Sequence, residues 1–259
     1  MKTILLSILL FSNTLFSLDI KVDSLNNKTP ERILFVGNSY LYYNDSLHNH
    51  VRRMLEELYS YKIDTSNYKM VTISGSRLEH HDIKHSLNHS KLGAEKPFEL
   101  VILQGGSGET NSLLEREVFV EKANEMINKI HLTGAEAALY MIHAYVEPHK
   151  HTNPQMIKDI KKMYIDAANK NDVLVIPVGV AFENAYFKNP DIKLHKEYDG
   201  SHPSLLGTYL AACVVYSSIT QESPMKINYN YFDNISDEDR KFLQKIAHQT
   251  VESFYNIKL

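Results

Sequence analysis

Five short segments of the chain are dominated by apolar residues that run together rather than alternate: Arg32 to Val36, Tyr68 to Ser74, Leu100 to Gln104, Ala137 to Ile142 and Val173 to Val178. Unbroken runs of this length, rich in branched and aromatic side chains, predict strands buried on both faces. Gly37, Gly75 and the pair Gly105-Gly106 close the first three. Between the runs the period changes. Leu47, Val51, Met54, Leu55 and Leu58 recur at helical spacing and predict a helix over Leu47 to Tyr61. Further helices are predicted over Glu79 to Asn88, Leu113 to His131 with Thr133-Gly134 as its stop, and Pro154 to Lys170. Pro203 to Thr220 reads as a helix with proline at its first position, and Ser236, followed by Asp237, Glu238 and Asp239, caps a last helix running to about Ser253. Strands alternating with helices predict an α/β fold with a five-stranded parallel sheet and helices on both faces.

The first residues depart from this pattern. Lys2 precedes an apolar run from Ile4 to Phe16, and Ser17 stands at a plausible cleavage point, the layout of a secretory signal peptide over residues 1–17. A polar linker over 18–30 and one domain over 31–259 are expected to follow. The run is short of the ~20 apolar residues a membrane span needs, and no later segment reaches that length. The mature protein is therefore expected to be exported, periplasmic or secreted, with no membrane span. There is no internal repeat and no low-complexity segment. At 259 residues, 43% hydrophobic and 23% charged, the composition suits one globular domain. A net charge of -3 provides no basic footprint for nucleic acid. The single cysteine, Cys213, excludes an internal disulfide and cysteine-rich zinc sites, and its apolar surroundings mark it as a core thiol.

Ligands of such sheets bind beyond the carboxyl ends of the strands. The residues expected there are Ser39 after the first strand, Gly75 after the second, Gln104 to Ser107 after the third and His143 after the fourth. Far along the chain, Tyr198-Asp199-Gly200-Ser201-His202-Pro203 sets a carboxylate three residues before an imidazole. Ser39, His202 and Asp199 thus offer a nucleophile, a base and an orienting acid. The serine hydroxyl stays protonated at neutral pH and needs such a base to attack.

With these residues the sequence resembles the SGNH (GDSL-type) hydrolases. Gly37-Asn38-Ser39 matches the family's Gly-Asp-Ser block, Gly75 its second-block glycine, and Asp199 and His202 its terminal Asp-x-x-His, over about Arg32 to Thr220. The resemblance implies a flavodoxin-like three-layer α/β/α sandwich and ester hydrolysis through an acyl-enzyme on Ser39. It also implies oxyanion contacts from the backbone N–H groups of Ser39 and Gly75. The third block departs: where the family reads Gly-x-Asn-Asp, this chain reads Gln104-Gly105-Gly106-Ser107-Gly108-Glu109. Gln104 is the expected substitute donor and Ser107 its rival. Asn38, at a position that shapes the turn, joins Tyr40, Ser107 and His143 as candidates for lining the substrate site.

Other features compete for a role. His81, His85 and His89 recur every four residues, with His80, His149 and His151 in reserve, but no carboxylate-histidine motif completes a zinc site. A solvated helix face is the reading favoured, and no metal or organic cofactor is expected. Tyr40, Tyr42 and Tyr43 are open to two readings, stacking on sugar rings or packing the first helix. Asn27, Asn44, Asn88 and Asn234 match the glycosylation acceptor pattern, which matters only in a glycosylating pathway. The expected activity is that of an exported esterase on short acyl esters, acetyl groups on carbohydrate among them. The alternatives are a lipid esterase or thioesterase of the same fold, and a catalytically silent carbohydrate-binding domain. The oligomeric state is open.

Overall fold

A computed structural model of the chain describes residues 19–259; the segment read as a signal peptide lies outside them. The strands are β1 (Ile33–Gly37), β2 (Tyr68–Thr72), β3 (Leu100–Gln104), β4 (Glu136–Tyr140) and β5 (Leu174–Ile176). They form one sheet in the order β2-β1-β3-β4-β5, with every pairing parallel. This is the flavodoxin-like order. β1 and β3 are buried at every residue, as unbroken apolar runs require.

The principal helices are α1 (Ser39–Tyr42), α2 (Leu47–Tyr59), α3 (Ile83–Leu87), α4 (Leu113–His131), α5 (Met156–Asn171), α6 (Val178–Lys188), α7 (Leu205–Thr220) and α8 (Asp237–Tyr255). α4 packs on α5, while α2 and α8 both pack on α7, so helices cover both faces of the sheet. α7 is buried over fourteen consecutive residues from Gly207 to Thr220. Its sequence is apolar all round, which is the signature of a helix enclosed by protein. Cys213 lies within it, fully buried, and burial pushes its thiol far above the ordinary range. Among the described residues no helix is long and apolar enough to cross a membrane.

Three local features differ from the sequence expectation. The segment Glu79 to Asn88 is not one helix: a 3-10 turn covers Leu78–His80, and Asp82 then caps the five-residue α3 by accepting from the His85 N–H at 3.1 Å. α7 begins after Pro203, because Ser204 is its cap and accepts from the Gly207 N–H at 3.1 Å. α6 is additional. The fifth strand is expected to run to Val178 and no helix is expected directly after it, yet the chain turns at Pro177 and coils from Val178. The polar stretch before β1 is held against the sheet's amino-terminal edge. Leu25 is buried, and the Glu136 carboxylate accepts from the backbone N–H groups of Asn26 and Asn27, both at 2.8 Å.

Gly179 is fixed by this packing, since a Cβ there would collide with the Ile142 carbonyl oxygen. Gly179→Ala should destabilise the protein by about 1–3 kcal/mol, as overpacking does, read as a fall in Tm. An unchanged Tm would show that α6 shifts freely against the segment that follows β4.

Candidate active site

The chain leaves β1 through Gly37 into a tight turn. A Cβ at Gly37 would meet the side chain of Gln104, so only glycine fits. Asn38 then caps α1, its Oδ1 accepting from the Tyr40 N–H at 3.1 Å. Its Nδ2 donates to the carbonyls of Ser76 at 3.0 Å and Gly105 at 3.3 Å. Ser39 follows, 7% exposed at the carboxyl edge of the sheet.

The loop before α7 brings the other two groups. His202 Nε2 lies 2.9 Å from Ser39 Oγ, and His202 Nδ1 lies 2.6 Å from Asp199 Oδ2. The remaining carboxylate oxygen of Asp199 accepts the backbone N–H groups of Ser201 at 2.8 Å and His202 at 3.0 Å. Burial raises the Asp199 carboxyl, but the bonds from the Ser201 N–H and from the side chain and N–H of His202 outweigh it and hold the group below its ordinary range. An ionised Asp199 accepts from Nδ1–H, which leaves Nε2 bare to accept the serine proton. Gly200 allows the loop to turn here: its φ is +62°, and a Cβ would strike the Val146 carbonyl. Tyr43 stacks on the His202 ring at 4.4 Å between centroids, and Tyr40 meets it edge-on at 5.9 Å.

The structure sorts the remaining expected residues. Gly75 is exposed on the loop after β2 with φ +65°, and no partner for its N–H is found among the described residues. The Ser39 N–H stands at the start of α1, where the helix supplies no acceptor. Gln104 is not placed to meet a substrate. Its side chain is buried, its Oε1 accepts the Asn38 N–H at 2.9 Å, and its Nε2 donates to the Gly105 carbonyl. Asn38, Tyr40 and His143 are likewise buried, at 3%, 3% and 0% exposure, and lie behind the reacting groups instead of lining an open site. Ser107 is half-buried and faces the hydroxyls of Tyr40 and Tyr145.

No protein-family model matches the chain, and no curated protein matches it by sequence. Solved structures do match. A DUF4886 family protein from Bacteroides uniformis superposes with a TM-score of 0.65 at 19% identity, over 85% of this chain and 94% of that one. A protein from Slackia heliotrinireducens provisionally described as an SGNH hydrolase gives 0.55 at 21% identity, over 73% and 98%. The fold is that of the SGNH hydrolases. A variant of an acetyl xylan esterase from Geobacillus stearothermophilus shares it with a TM-score of 0.53 at 16% identity, over 73% and 94%.

On this fold the loop after β3 is organised around Glu109, which is not among the residues expected at the site. Glu109 is 1% exposed, and its carboxylate accepts the Gly106 N–H, closing a turn around Ser107 and Gly108. An acidic residue at the end of a glycine-rich loop signals only a solvated turn, and nothing in the sequence marks it as buried. The histidines at four-residue spacing disperse with the broken helix. His81 Nε2 bonds Ser76 Oγ at 2.8 Å, His89 Nδ1 donates to the Ala94 carbonyl at 2.8 Å, and His85 is exposed. Among the described residues no group of three or more histidine, cysteine or carboxylate side chains could hold a metal ion.

Burial lifts the Glu109 carboxyl to about 7, against the opposing pull of the Gly106 N–H and Arg77 and with the repulsion of Glu79 and Glu115. A raised carboxyl binds its proton more tightly in the folded state. Its contribution is therefore whole below the unfolded value near 4.5 and is lost as pH rises through about 7. The slope is up to about 1.4 kcal/mol per pH unit across that window. Glu109→Gln, which keeps an acceptor for the Gly106 N–H, should raise Tm above that of the native protein at pH 8 and match it at pH 4.5. A difference independent of pH would contradict this assignment.

Proposed function

We propose that the protein is a serine esterase acting on short acyl esters, with Ser39 as nucleophile, His202 as general base and acid, and Asp199 as the group that orients and charges it. The observation carrying this reading is the continuous hydrogen-bonded line from Ser39 Oγ through His202 to Asp199, at 2.9 and 2.6 Å. Ester hydrolysis by SGNH-fold neighbours, an acetyl xylan esterase among them, supports it. Ser39 Oγ attacks the acyl carbon while its proton passes to His202 Nε2. The tetrahedral oxyanion is met by the N–H groups of Ser39 and Gly75, with the Ser107 hydroxyl as third donor in place of Gln104. Collapse expels the alcohol, which takes the proton from Nε2. Water then attacks the acyl-enzyme by the same route in reverse.

Carbohydrate is the alcohol this reading favours. Tyr42 and Tyr198, at 36% and 70% exposure, lie against Tyr43, which itself stacks on His202, and exposed rings of this kind suit the apolar face of a sugar. Tyr43 itself is occupied, stacked between Tyr42 and His202. A fluorophosphonate should label Ser39, and Ser39→Ala should lower turnover of p-nitrophenyl acetate by about 10³-fold or more. Ser107→Ala should lower kcat by about 10²-fold with little change in KM. Acetylated xylo-oligosaccharide should outcompete p-nitrophenyl octanoate; the reverse order would favour a lipid esterase. Sugar binding with no turnover and no label on Ser39 would favour a silent binding domain.

The reading includes export, supported by Lys2 and the apolar run Ile4 to Phe16. N-terminal sequencing of the protein from its native host should find a chain beginning after Ser17. An intact Met1 on a cytoplasmic protein would overturn it.

A further inference from the structure

The residue that follows the nucleophile and the residue that precedes the base touch each other. Tyr40 Oη and Ser201 Oγ share a hydrogen bond of 2.7 Å, with Tyr40 3% and Ser201 8% exposed. This contact joins the α1 turn to the loop before α7, elements 161 positions apart. Nothing covalent fixes the distance between those two segments, so a bond between immediate neighbours of the reacting groups constrains it directly. His143 braces the same point from below: its Nε2–H donates to the Ser201 carbonyl at 2.8 Å. Its ring is held between Tyr40 and Phe182, stacked at 4.4 Å on each side. Behind it His195 donates from Nε2 to the Ala144 carbonyl at 3.0 Å and accepts from the Tyr186 hydroxyl at 2.6 Å.

The chemistry of the brace suits a fixed spacer. His143 is fully buried, and burial, with His195 and His202 adding to it, holds it well below its ordinary value, so it is neutral. Among the described residues its Nδ1 has no partner, and it is the bare acceptor of that tautomer. Protonation would create a buried N–H without an acceptor, which is costly. The brace therefore carries one hydrogen-bond pattern across the pH range in which a serine hydrolase works. The Ser201 hydroxyl is bonded to Tyr40, and its N–H serves Asp199.

We propose that Tyr40, Ser201 and His143 are positioning residues that set the Ser39–His202 separation, with the Tyr40–Ser201 hydrogen bond as the strut between nucleophile and base. The proposal deepens the esterase reading and rests on it for its kinetic test. Tyr40→Phe and Ser201→Ala each remove one oxygen and keep the surrounding packing.

Each variant should lower kcat on p-nitrophenyl acetate about fivefold to tenfold with KM within twofold, and each should slow fluorophosphonate labelling of Ser39 by a similar factor. Both remove the same bond, and Tyr40→Phe also removes the contact with Ser107, so the double variant should be no slower than Tyr40→Phe alone. Two results overturn the strut: single variants that keep kcat and labelling rate within twofold, or a double variant whose losses multiply. A readout independent of turnover separates this from failure of the esterase reading. The downfield proton resonance of His202 Nδ1–H against Asp199 should broaden or shift in both single variants of the full chain. If the native protein neither labels nor turns over, the esterase reading falls and this resonance decides the strut. A resonance identical to that of the native protein in both variants rejects it.

Discussion

Three loops leave the carboxyl edge of the sheet around the nucleophile, and the side chain of Asn38 is bonded to all of them. It caps α1 through the Tyr40 N–H, holds the loop after β2 through the Ser76 carbonyl, and holds the loop after β3 through the Gly105 carbonyl. Its own N–H is taken by Gln104. A parallel sheet with the order β2-β1-β3-β4-β5 sends the chain outward in opposite directions from β1 and β3, which opens a crevice between the loops that follow them. The crevice needs something to span it, and one buried amide does so. Two of its partners are carbonyl oxygens, which only a donor can satisfy. An aspartate would present oxygen to oxygen there, leaving the Ser76 carbonyl unpaired at about 1–3 kcal/mol, while Gly105 keeps the Gln104 donor. Asparagine at position 38 thus fits this set of partners, where a carboxylate would not.

The Asp199–His202 pair works by orientation more than by attraction. Both side chains are part-exposed, at 22% and 27%, and exposed ion pairs contribute at most about 1 kcal/mol. What distinguishes the pair is that Asp199 is bonded at both oxygens, to two backbone N–H groups and the ring, so the carboxylate cannot rotate. Gly200 makes this possible by taking the left-handed turn that folds the loop back on the carboxylate. Tyr43 covers one face of the imidazole. The ring is left one free direction, toward Ser39.

The same physics explains what could be read from the chain and what could not. β1 and β3, and the amphipathic α2 and α4, were legible because their patterns follow directly from burial on two faces or one. Ser39, Asp199 and His202 were legible because a hydroxyl after a buried strand and a carboxylate three residues before an imidazole are local arrangements. Gln104 was read as an oxyanion donor because it ends a strand at the ligand edge. Its partner is decided by which backbone N–H in the next loop lacks an acceptor, and sequence does not display that account. The His81, His85, His89 spacing suggested a helix face, but the Asp82 side chain competes for the backbone and starts a new turn there. Val178 to Lys188 was missed because tertiary burial overrides weak propensity in α6.

The altered third block follows from the same competition for buried partners. Gly105 has no room for a side chain, because a Cβ would lie 2.6 Å from the Phe119 ring. Its N–H is taken by the Tyr164 hydroxyl at 3.1 Å, and its carbonyl by Asn38 and Gln104. Gly106 gives its N–H to Glu109. With these backbone groups at the start of the loop committed inward, Ser107 is the first residue of the block whose side chain faces the tyrosines beside the site, Tyr40 and Tyr145. A Gly-x-Asn block brings an amide to the oxyanion from the loop itself. Here the amide, Gln104, is drawn inside to support Asn38, and the Glu109 carboxylate, through the Gly106 N–H, fixes the turn that carries Ser107.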